Sequence, residues 1–291
     1  PRGGAAPGLE PLAAGRRAAV TTGQQVGLLT GPLLTAVKAL AAVKIAADLS
    51  AAGTDLAPVF WCASEDHDLV EATRLPLPGP DGPIEEGPPA EPLARNRRPV
   101  GALPVAEDVG ALLARAGEQA GALADAESLS ALERFHAGAT YREAFVASLA
   151  WLLDEPALLF ADAARAEEKP ALVPLAARLV RERAEVRRLL DERATALAAA
   201  GHPPQVVSEP GALPLFAIVD GERLLLRERD GALELKGRDG ERLDPEDVVA
   251  RLESGRWLPS FSALSRPLAA STLYPVAATV LGPAELAYWA Q

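Results

Sequence analysis

Three carboxylates and one imidazole follow one another along the chain, directly after the apolar run 57–62. They belong to Glu65, Asp66, His67 and Asp68. A carboxylate beside a histidine raises the pKa of the imidazole and can fix its tautomer. Such a cluster can act as a general acid or base, hold an amine or bind a metal. The alternative is a helix N-cap followed by acidic residues in the first turn, which the helix dipole favours.

Metal and thiol chemistry are the less expected uses of this cluster. The chain has three histidines, and His67 would need His136 and His202 to fold beside it to form a multi-histidine zinc site. The one cysteine, Cys62, lies within the apolar run, where cysteine usually packs as a small hydrophobe. We therefore predict no metal site and no cysteine nucleophile, and the roles of His136 and His202 stay open.

A glycine-rich segment, residues 21–32, joins a predicted strand to a predicted helix. In a parallel α/β sheet the ligand lies beyond the carboxyl ends of the strands, where backbone N–H groups and a helix N-terminus attract anions. The segment contains neither the P-loop nor the dinucleotide fingerprint. Its glycines either let the backbone approach a ligand closely or serve only an ordinary turn. The residues expected to contact a ligand are Thr22, Gly23, Gln24, Gln25, Gly27, Thr30 and Gly31.

A second turn could face the same ligand. Arg266 precedes the apolar run 274–281, and Gly282 and Glu285 follow it. If this run is a strand of the same sheet, its Gly-Pro turn lies at the same edge as the glycine-rich segment. The alternative is a turn with an exposed glutamate at a helix start. The helix that follows is expected to cover one face of the sheet with Leu286, Tyr288 and Trp289.

The elements that position these residues alternate between strand and helix. A strand at 18–22, a helix at 32–49 and a buried strand at 57–62 form a β-α-β unit, for which a right-handed crossover is expected. The apolar run 158–160 indicates a further strand, and the run 274–281 a last strand inside the sheet. The predicted fold class is therefore α/β with a parallel sheet.

Two longer segments are predicted to be insertions into this core, which spans residues 17–291. Residues 78–155 have the pattern of a loop followed by two or three helices. Residues 170–255 combine a long helix, 170–200, with a β-hairpin. Residues 1–16 are rich in proline, glycine and alanine, so we expect them to be poorly ordered.

Composition narrows the class of partner. The 291 residues carry a net charge of −11, which disfavours nucleic acid and anionic membranes because phosphate binding needs clustered Lys and Arg. No apolar run reaches the ~20 charge-free residues of a membrane span. A single cysteine suits a reducing compartment, so we expect a cytoplasmic protein that binds neither nucleic acid nor membrane. The sequence contains no methionine, and we expect the natural chain to extend beyond both ends.

In their order and spacing, these segments resemble the bacillithiol-synthesis cysteine-adding enzymes. The most specific part is the Gly-Gln-Gln loop followed at this distance by Glu-Asp-His-Asp, and the resemblance covers most of residues 18–291. Ser64, Leu281 and Ala284 depart from the pattern, because the family usually has glycine there. The matching segments are 22–25, 27–28, 30–32, 58–61, 65–68, 201–202, 205–206, 266–267, 282–283, 285 and 288–291.

The resemblance implies a Rossmann-like core similar to class I nucleotidyltransferases and aminoacyl-tRNA synthetases, with helical and β-hairpin insertions. It implies a carbon–nitrogen ligase that joins the carboxyl group of cysteine to the amine of glucosaminyl-malate, giving bacillithiol. In such a reaction His67 and Asp66 would take the proton of the amine, with Glu65 and Asp68 beside them. The resemblance also implies a homodimer formed through a coiled-coil region that follows Gln291.

Formation of an amide from a free carboxylate requires activation of the carboxyl group. We therefore expect ATP or another nucleotide as a cosubstrate. Two alternatives stay open from the sequence. One is a non-catalytic module that binds a nucleotide or metabolite, and the other is an adenylyltransferase that acts on another substrate.

Overall fold

A parallel sheet of four strands lies at the centre of the computed structural model, in the order β10-β1-β2-β5. The structure describes residues 9–77, 84–86, 93–105, 109–121, 125–162, 164–165, 167–238 and 240–291. Each neighbouring pair of strands in this sheet is parallel, which confirms the predicted α/β class. The strands are β1 (Ala18–Gln25), β2 (Leu56–Ala63), β5 (Leu159–Asp162) and β10 (Val276–Thr279).

The second strand of the chain, β2, anchors this sheet because it is buried along its whole length. The ring of Phe60 packs against Phe145 and Phe160, with ring centroids 6.0 and 5.8 Å apart. β1 pairs with β2 along its full length, so that Gly23 lies opposite Trp61. β1 therefore continues to residue 25 instead of ending at residue 22, and part of the predicted turn is strand.

Helix α2 (Leu33–Ala51) connects β1 to β2 and covers the sheet. Its inner face carries Ala39, Ala42 and Ala46, all buried, and these small side chains let the helix lie close to the strands. Its outer face exposes several large apolar side chains, of which Leu33 is the most exposed. The predicted helix at 32–49 is confirmed.

Within residues 105–154 the described part of the chain forms three helices, in agreement with the two or three that the sequence predicts. The last of them starts with a capping box, in which Thr140 and Glu143 exchange hydrogen bonds. Phe145 and Leu149 on this helix are fully buried against the parallel sheet's core. The helices are α4 (Val109–Ala120), α5 (Ala126–His136) and α6 (Tyr141–Leu153).

A second, antiparallel sheet has the strand order β8-β7-β6-β9. Strands β6 and β7 form the predicted hairpin, whose turn places Asp220 and Gly221 at positive φ, 52° and 80°. Trp257 is fully buried in the apolar core beneath this sheet. The strands are β6 (Ala212–Val219), β7 (Glu222–Arg229), β8 (Ala232–Leu235) and β9 (Leu258–Phe261), and the helices against them are α7 (Lys169–Arg181) and α9 (Pro245–Glu253).

Shorter elements complete the described part of the chain. They are α1 (Leu9–Ala13), α3 (Leu69–Thr73), β3 (Leu75–Leu77), β4 (Ile84–Glu86), the 3-10 turn Val100–Ala102, α8 (Arg183–Ala199), α10 (Arg266–Leu273) and α11 (Pro283–Trp289). β3 and β4 pair antiparallel, within a region for which the sequence indicated no regular structure.

The predicted single helix at 170–200 is wrong, because the chain forms two helices there. α7 ends at Arg181 and α8 begins after Glu182, whose φ of −93° and ψ of 17° interrupt the helix. The two helices also differ in packing, because α7 buries an apolar face against the second sheet, whereas α8 has no buried residue.

Both ends of the described chain also differ from expectation. Residues 9–13 are helical, and Leu12 is buried against the parallel sheet; residues 1–8 lie outside the described part. β10 lies at the edge of the sheet and not inside it. In the helix that follows β10, Leu286 is 62 % exposed, so this side chain does not cover the sheet.

The loop between β1 and α2 is held by His136 from the helical insertion. Nε2 of His136 accepts a hydrogen bond from Leu29 N at 3.0 Å, and Nδ1 donates to Leu132 O at 2.6 Å. Both bonds need the neutral ring with its proton on Nδ1. Leu29 has a φ of 58°, so this bond holds the loop in a conformation that a leucine rarely adopts.

Acidification should weaken the fold through His136. Burial lowers the pKa of His136 below its usual value near 6.5, although the bond to Leu132 acts in the opposite direction. The unfolded chain takes up a proton below pH 6.5 that the folded chain resists, so the free energy of unfolding should fall as the pH drops below 6.5. Urea denaturation at pH 7.5, 6.5 and 5.5 measures this dependence.

The matched variant for this test is His136→Gln. Its free energy of unfolding should be lower at pH 7.5 because a loop contact is lost, but it should depend less on pH than that of the wild type. One buried neutral histidine accounts for at most about 1.4 kcal/mol per pH unit. Identical pH slopes for the two proteins would contradict this role of His136.

Candidate functional site

A crevice of about 450 Å³ opens at the carboxyl ends of β1 and β10. The chain leaves β1 through α2 toward β2, whereas β10 pairs on the other side of β1, so strand order reverses here as at other ligand sites in α/β sheets. Seven of the expected ligand residues border it, namely Thr22, Gly23, Gln24, Gln25, Arg266, Gly282 and Glu285.

The floor of the crevice is polar and tightly bonded. The hydroxyl groups of Thr21 and Thr279 lie 2.8 Å apart, and Thr22 donates to Val280 O at 3.0 Å. These bonds join β1 to the edge strand β10. Trp61, Tyr288 and Trp289 supply aromatic side chains at the border, so the crevice combines hydrogen-bonding groups with flat apolar surfaces, a composition typical of small-molecule sites.

Gly23, Gly27 and Gly31 have different structural reasons for being glycine. A Cβ on Gly23 would lie 2.7 Å from Trp61 O of the neighbouring strand, so pairing of the sheet requires the glycine. A Cβ on Gly27 would lie 3.1 Å from Ala72 O, and Gly31 has a φ of 67°. Gly27, Thr30 and Gly31 do not border the crevice. Their ligand contacts stay predictions, and packing gives Gly27 a sufficient reason of its own.

Asp66 is the member of the cluster 65–68 that borders the crevice. Its Oδ1 accepts a hydrogen bond from His67 N at 2.8 Å, and its carboxylate lies 3.9 Å from Arg223 and 4.0 Å from Arg266. Burial acts to raise the pKa of Asp66, but the two guanidinium groups outweigh it and the pKa is lowered. Asp66 is therefore ionised at neutral pH.

His67 borders a separate groove on the surface, together with Asn96 and Phe216. Its Nδ1 lies 3.0 Å from Arg223 Nη1, and since a guanidinium only donates, Nδ1 accepts and the neutral ring carries its proton on Nε2. Burial and the charge of Arg223 lower the pKa of His67. In this arrangement the imidazole is neutral and has no free basic nitrogen, so its general-base role stays a prediction that would require Arg223 to move.

Glu65 and Asp68 perform structural tasks. Glu65 is buried and accepts hydrogen bonds from Lys169 and from Ser260, the latter at 2.9 Å. Asp68 is the N-cap of α3, where its Oδ1 accepts from Glu71 N at 2.9 Å. The helix-cap alternative thus describes Asp68, while the catalytic roles expected for both residues stay predictions.

Arg223 is a site residue that the sequence did not single out. It lies on β7, is 5 % exposed, and donates to Ser260 Oγ at 2.9 Å as well as to His67. Its guanidinium also lies over the ring of Phe216, 3.7 Å from the centroid. Burial lowers the pKa of Arg223 to about 10, so it stays charged at neutral pH. A lone arginine in a hairpin strand carries no signal of this role.

Lys38 is the other functional residue that sequence reasoning missed. It lies on α2 at the border of the crevice, and its ammonium contacts Gly23, Gln24 and Glu285. The only available signal was a lysine at a position that faces inward in an alanine-rich helix.

Among the described residues, no three His, Cys, Asp or Glu side chains lie close enough together to hold a metal ion. Cys62 is buried in β2, and burial raises the pKa of its thiol, which disfavours the reactive thiolate. No helix in the described ranges is long and apolar enough to cross a membrane.

The fold defines a Rossmann-like α/β domain with a crevice at the strand ends. The family described as "Bacillithiol biosynthesis BshC, N-terminal Rossmann-like domain" matches residues 5–291. The chain belongs to this family.

Three relatives illustrate the similarity, and each is named "Putative cysteine ligase BshC". The protein of Koribacter versatilis is 36% identical over 274 residues, 94% of this chain and 50% of the relative. That of Solibacter usitatus is 30% identical, covering 98% of this chain and 52% of the relative, and that of Bacillus cereus strain G9842 is 26% identical, covering 94% and 51%. The chain thus spans about half the length of these relatives.

Stability measurements can compare the contribution of the buried ion pair Lys169–Glu65 with that of an ion pair on the surface. Lys169→Met leaves the buried carboxylate of Glu65 without its partner, and loss of one member of a buried pair costs about 3–5 kcal/mol. Lys236→Met is the control, because its pair with Glu209 is about half exposed and such pairs contribute about 1 kcal/mol or less. Chemical denaturation of both variants measures the difference. Equal losses would contradict the anchoring role of Glu65.

Proposed function

We propose that this chain supplies the substrate-binding core of a ligase that joins the carboxyl group of cysteine to the amine of glucosaminyl-malate, giving bacillithiol. Family membership and the names of the relatives support this reaction. The structural observation that carries the proposal is the crevice at the strand ends, which gathers seven of the ten expected ligand residues from two distant parts of the chain. We propose that the complete protein is a cytoplasmic homodimer that binds neither nucleic acid nor membrane.

The charged side chains at the crevice can bind the amine of one substrate and the carboxylate or phosphate of another. Asp66 is ionised and has a lowered pKa, so it is a weak base but a good partner for a substrate ammonium group. Arg266 lies at the same border, where its guanidinium can bind a carboxylate or phosphate. In this proposal Asp66 holds the ammonium group of the substrate, and a base stronger than the Asp66 carboxylate must take its proton before the nitrogen attacks.

Activation of the cysteine carboxyl group would come from ATP or another nucleotide, with phosphate or pyrophosphate chemistry providing the leaving group. The residues present fit an anion only in part. Gly282 N is already bonded to Glu285 Oε2 at 2.6 Å, whereas Arg266 and the amide of Gln24 face the crevice. Arg266 and Gln24 are thus the groups that would contact a carboxylate or phosphate.

The test combines the complete protein with L-cysteine, glucosaminyl-malate and ATP. Mass spectrometry should detect bacillithiol, and AMP or ADP should form in equal amount. Pyrophosphate release with a substrate that is not a thiol would instead favour an adenylyltransferase. Ligand binding without any product would favour a non-catalytic module.

Replacement of the crevice carboxylate should impair this reaction selectively. Asp66→Asn removes the charge that would hold the substrate amine, and we expect kcat/KM to fall by about 10²-fold or more, near the scale of ~3 kcal/mol for loss of a charged partner. Asp68→Asn is the matched comparison, because asparagine is also a good N-cap and Asp68 does not border the crevice.

Steady-state kinetics and melting temperatures of the two variants decide the question. The loss of kcat/KM should be much larger for Asp66→Asn, while both proteins stay folded. An equal loss at the two positions would show that proximity to the crevice does not determine the role of these carboxylates.

A further inference from the structure

Lys38 is a buried cation whose hydrogens are all used within the protein. Its side chain is 3% exposed, and Nζ donates to Gly23 O at 2.6 Å, Gln24 Oε1 at 3.0 Å and Glu285 Oε2 at 2.6 Å. An ammonium has three donors, so none is left for a ligand. Any effect of Lys38 on a substrate must therefore pass through the groups that it holds.

The amide of Gln24 is one of those groups, and the contact determines its orientation. Because Lys38 can only donate, Gln24 must present its oxygen to the ammonium, and its NH₂ group is left on the other side. Gln24 borders the crevice, and no described residue accepts a hydrogen bond from its Nε2. Its neighbour Gln25 differs, since Gln25 Nε2 already donates to Asp68 O at 3.0 Å.

Glu285 connects the same ammonium to the opposite wall. Its Oε2 accepts from Lys38 and also from Gly282 N at 2.6 Å, which caps the start of α11. Lys38 therefore links the end of β1 to the helix that follows β10. The pair also balances the buried positive charge, so the group offered to the crevice at this point is a neutral amide donor.

We propose that Lys38 is a positioning residue that holds the Gln24 amide with its NH₂ group toward the crevice, ready to donate to an anionic oxygen of the substrate. The inference rests on the proposed function for the identity of that oxygen. A carboxylate of cysteine and a phosphate of ATP present the same chemistry to an amide donor. The variants below distinguish the two sources.

Lys38→Met and Gln24→Glu are the informative variants. Lys38→Met keeps the chain length but releases the amide, and Gln24→Glu keeps an acceptor for Lys38 while it replaces the NH₂ donor by an oxygen. Lys44→Met is the matched control, because Lys44 lies on the same helix, is 76% exposed and, among the described residues, pairs with Asp48 alone. Glu285→Gln is a milder variant that keeps the acceptor, should Lys38→Met fail to fold.

Kinetics of the complete protein give the first readout. In Lys38→Met and Gln24→Glu, KM should rise at least about 10-fold, as for loss of one hydrogen bond to a charged group, with a smaller change in kcat. The rise should fall on cysteine if the oxygen is a carboxylate, or on ATP if it is a phosphate. Gln24→Glu should keep the melting temperature of the wild type. If the contact between Lys38 and Gln24 were only structural, a variant with a raised KM would also melt at a lower temperature.

The second readout needs no activity. In ¹⁵N-labelled protein, the side-chain NH₂ signals of Gln24, identified by their loss in Gln24→Glu, should shift toward those of exposed glutamines in Lys38→Met and stay unchanged in Lys44→Met. If the wild type forms no bacillithiol, the proposed function fails, while these signals still decide whether Lys38 orients the amide. Unchanged signals in Lys38→Met, or an unchanged KM for both substrates in an active protein, would overturn the inference.

Discussion

Glu65 lies buried at the end of β2, and its carboxylate is bonded to Lys169 and Ser260. An ionised carboxylate away from water costs several kcal/mol unless a partner and hydrogen bonds compensate it. Those partners come from α7 and β9, which belong to the second half of the chain. The requirement to compensate one buried charge thus joins the parallel sheet to the antiparallel one.

The same contact positions the candidate site. Ser260 also accepts from Arg223, and Arg223 in turn bonds to His67 and lies 3.9 Å from Asp66. The second sheet therefore holds in place the loop that follows β2. This support keeps Asp66 at the border of the crevice and its carboxylate ionised, so the second sheet contributes to the electrostatics of a crevice that its strands do not border.

Opposite charges are paired on both sides of the crevice. Asp66 faces two arginines on one side, and Lys38 and Glu285 neutralise each other on the other. The Lys38–Glu285 pair is neutral, whereas Asp66 and its two arginines together carry one positive charge, so the crevice presents directed donors and acceptors of both signs. A site of this character suits substrates that carry both an amine and a carboxylate, because neither charge is repelled as a whole.

The sequence alone determined the α/β class, the strands around β1 and β2, the hairpin and the family, because apolar periodicity, turn residues and local motifs are encoded by neighbours in the chain. It also indicated the crevice through its glycine-containing segments. Only the tertiary structure decided how the adjacent residues 65–68 divide, with Glu65 in the core, Asp66 at the crevice and Asp68 at a helix cap. Lys38 and Arg223 acquire their roles from partners 247 and 156 positions away along the chain. Contacts over such separations leave no periodic trace in the sequence, since they depend on which faces the packed elements present to one another.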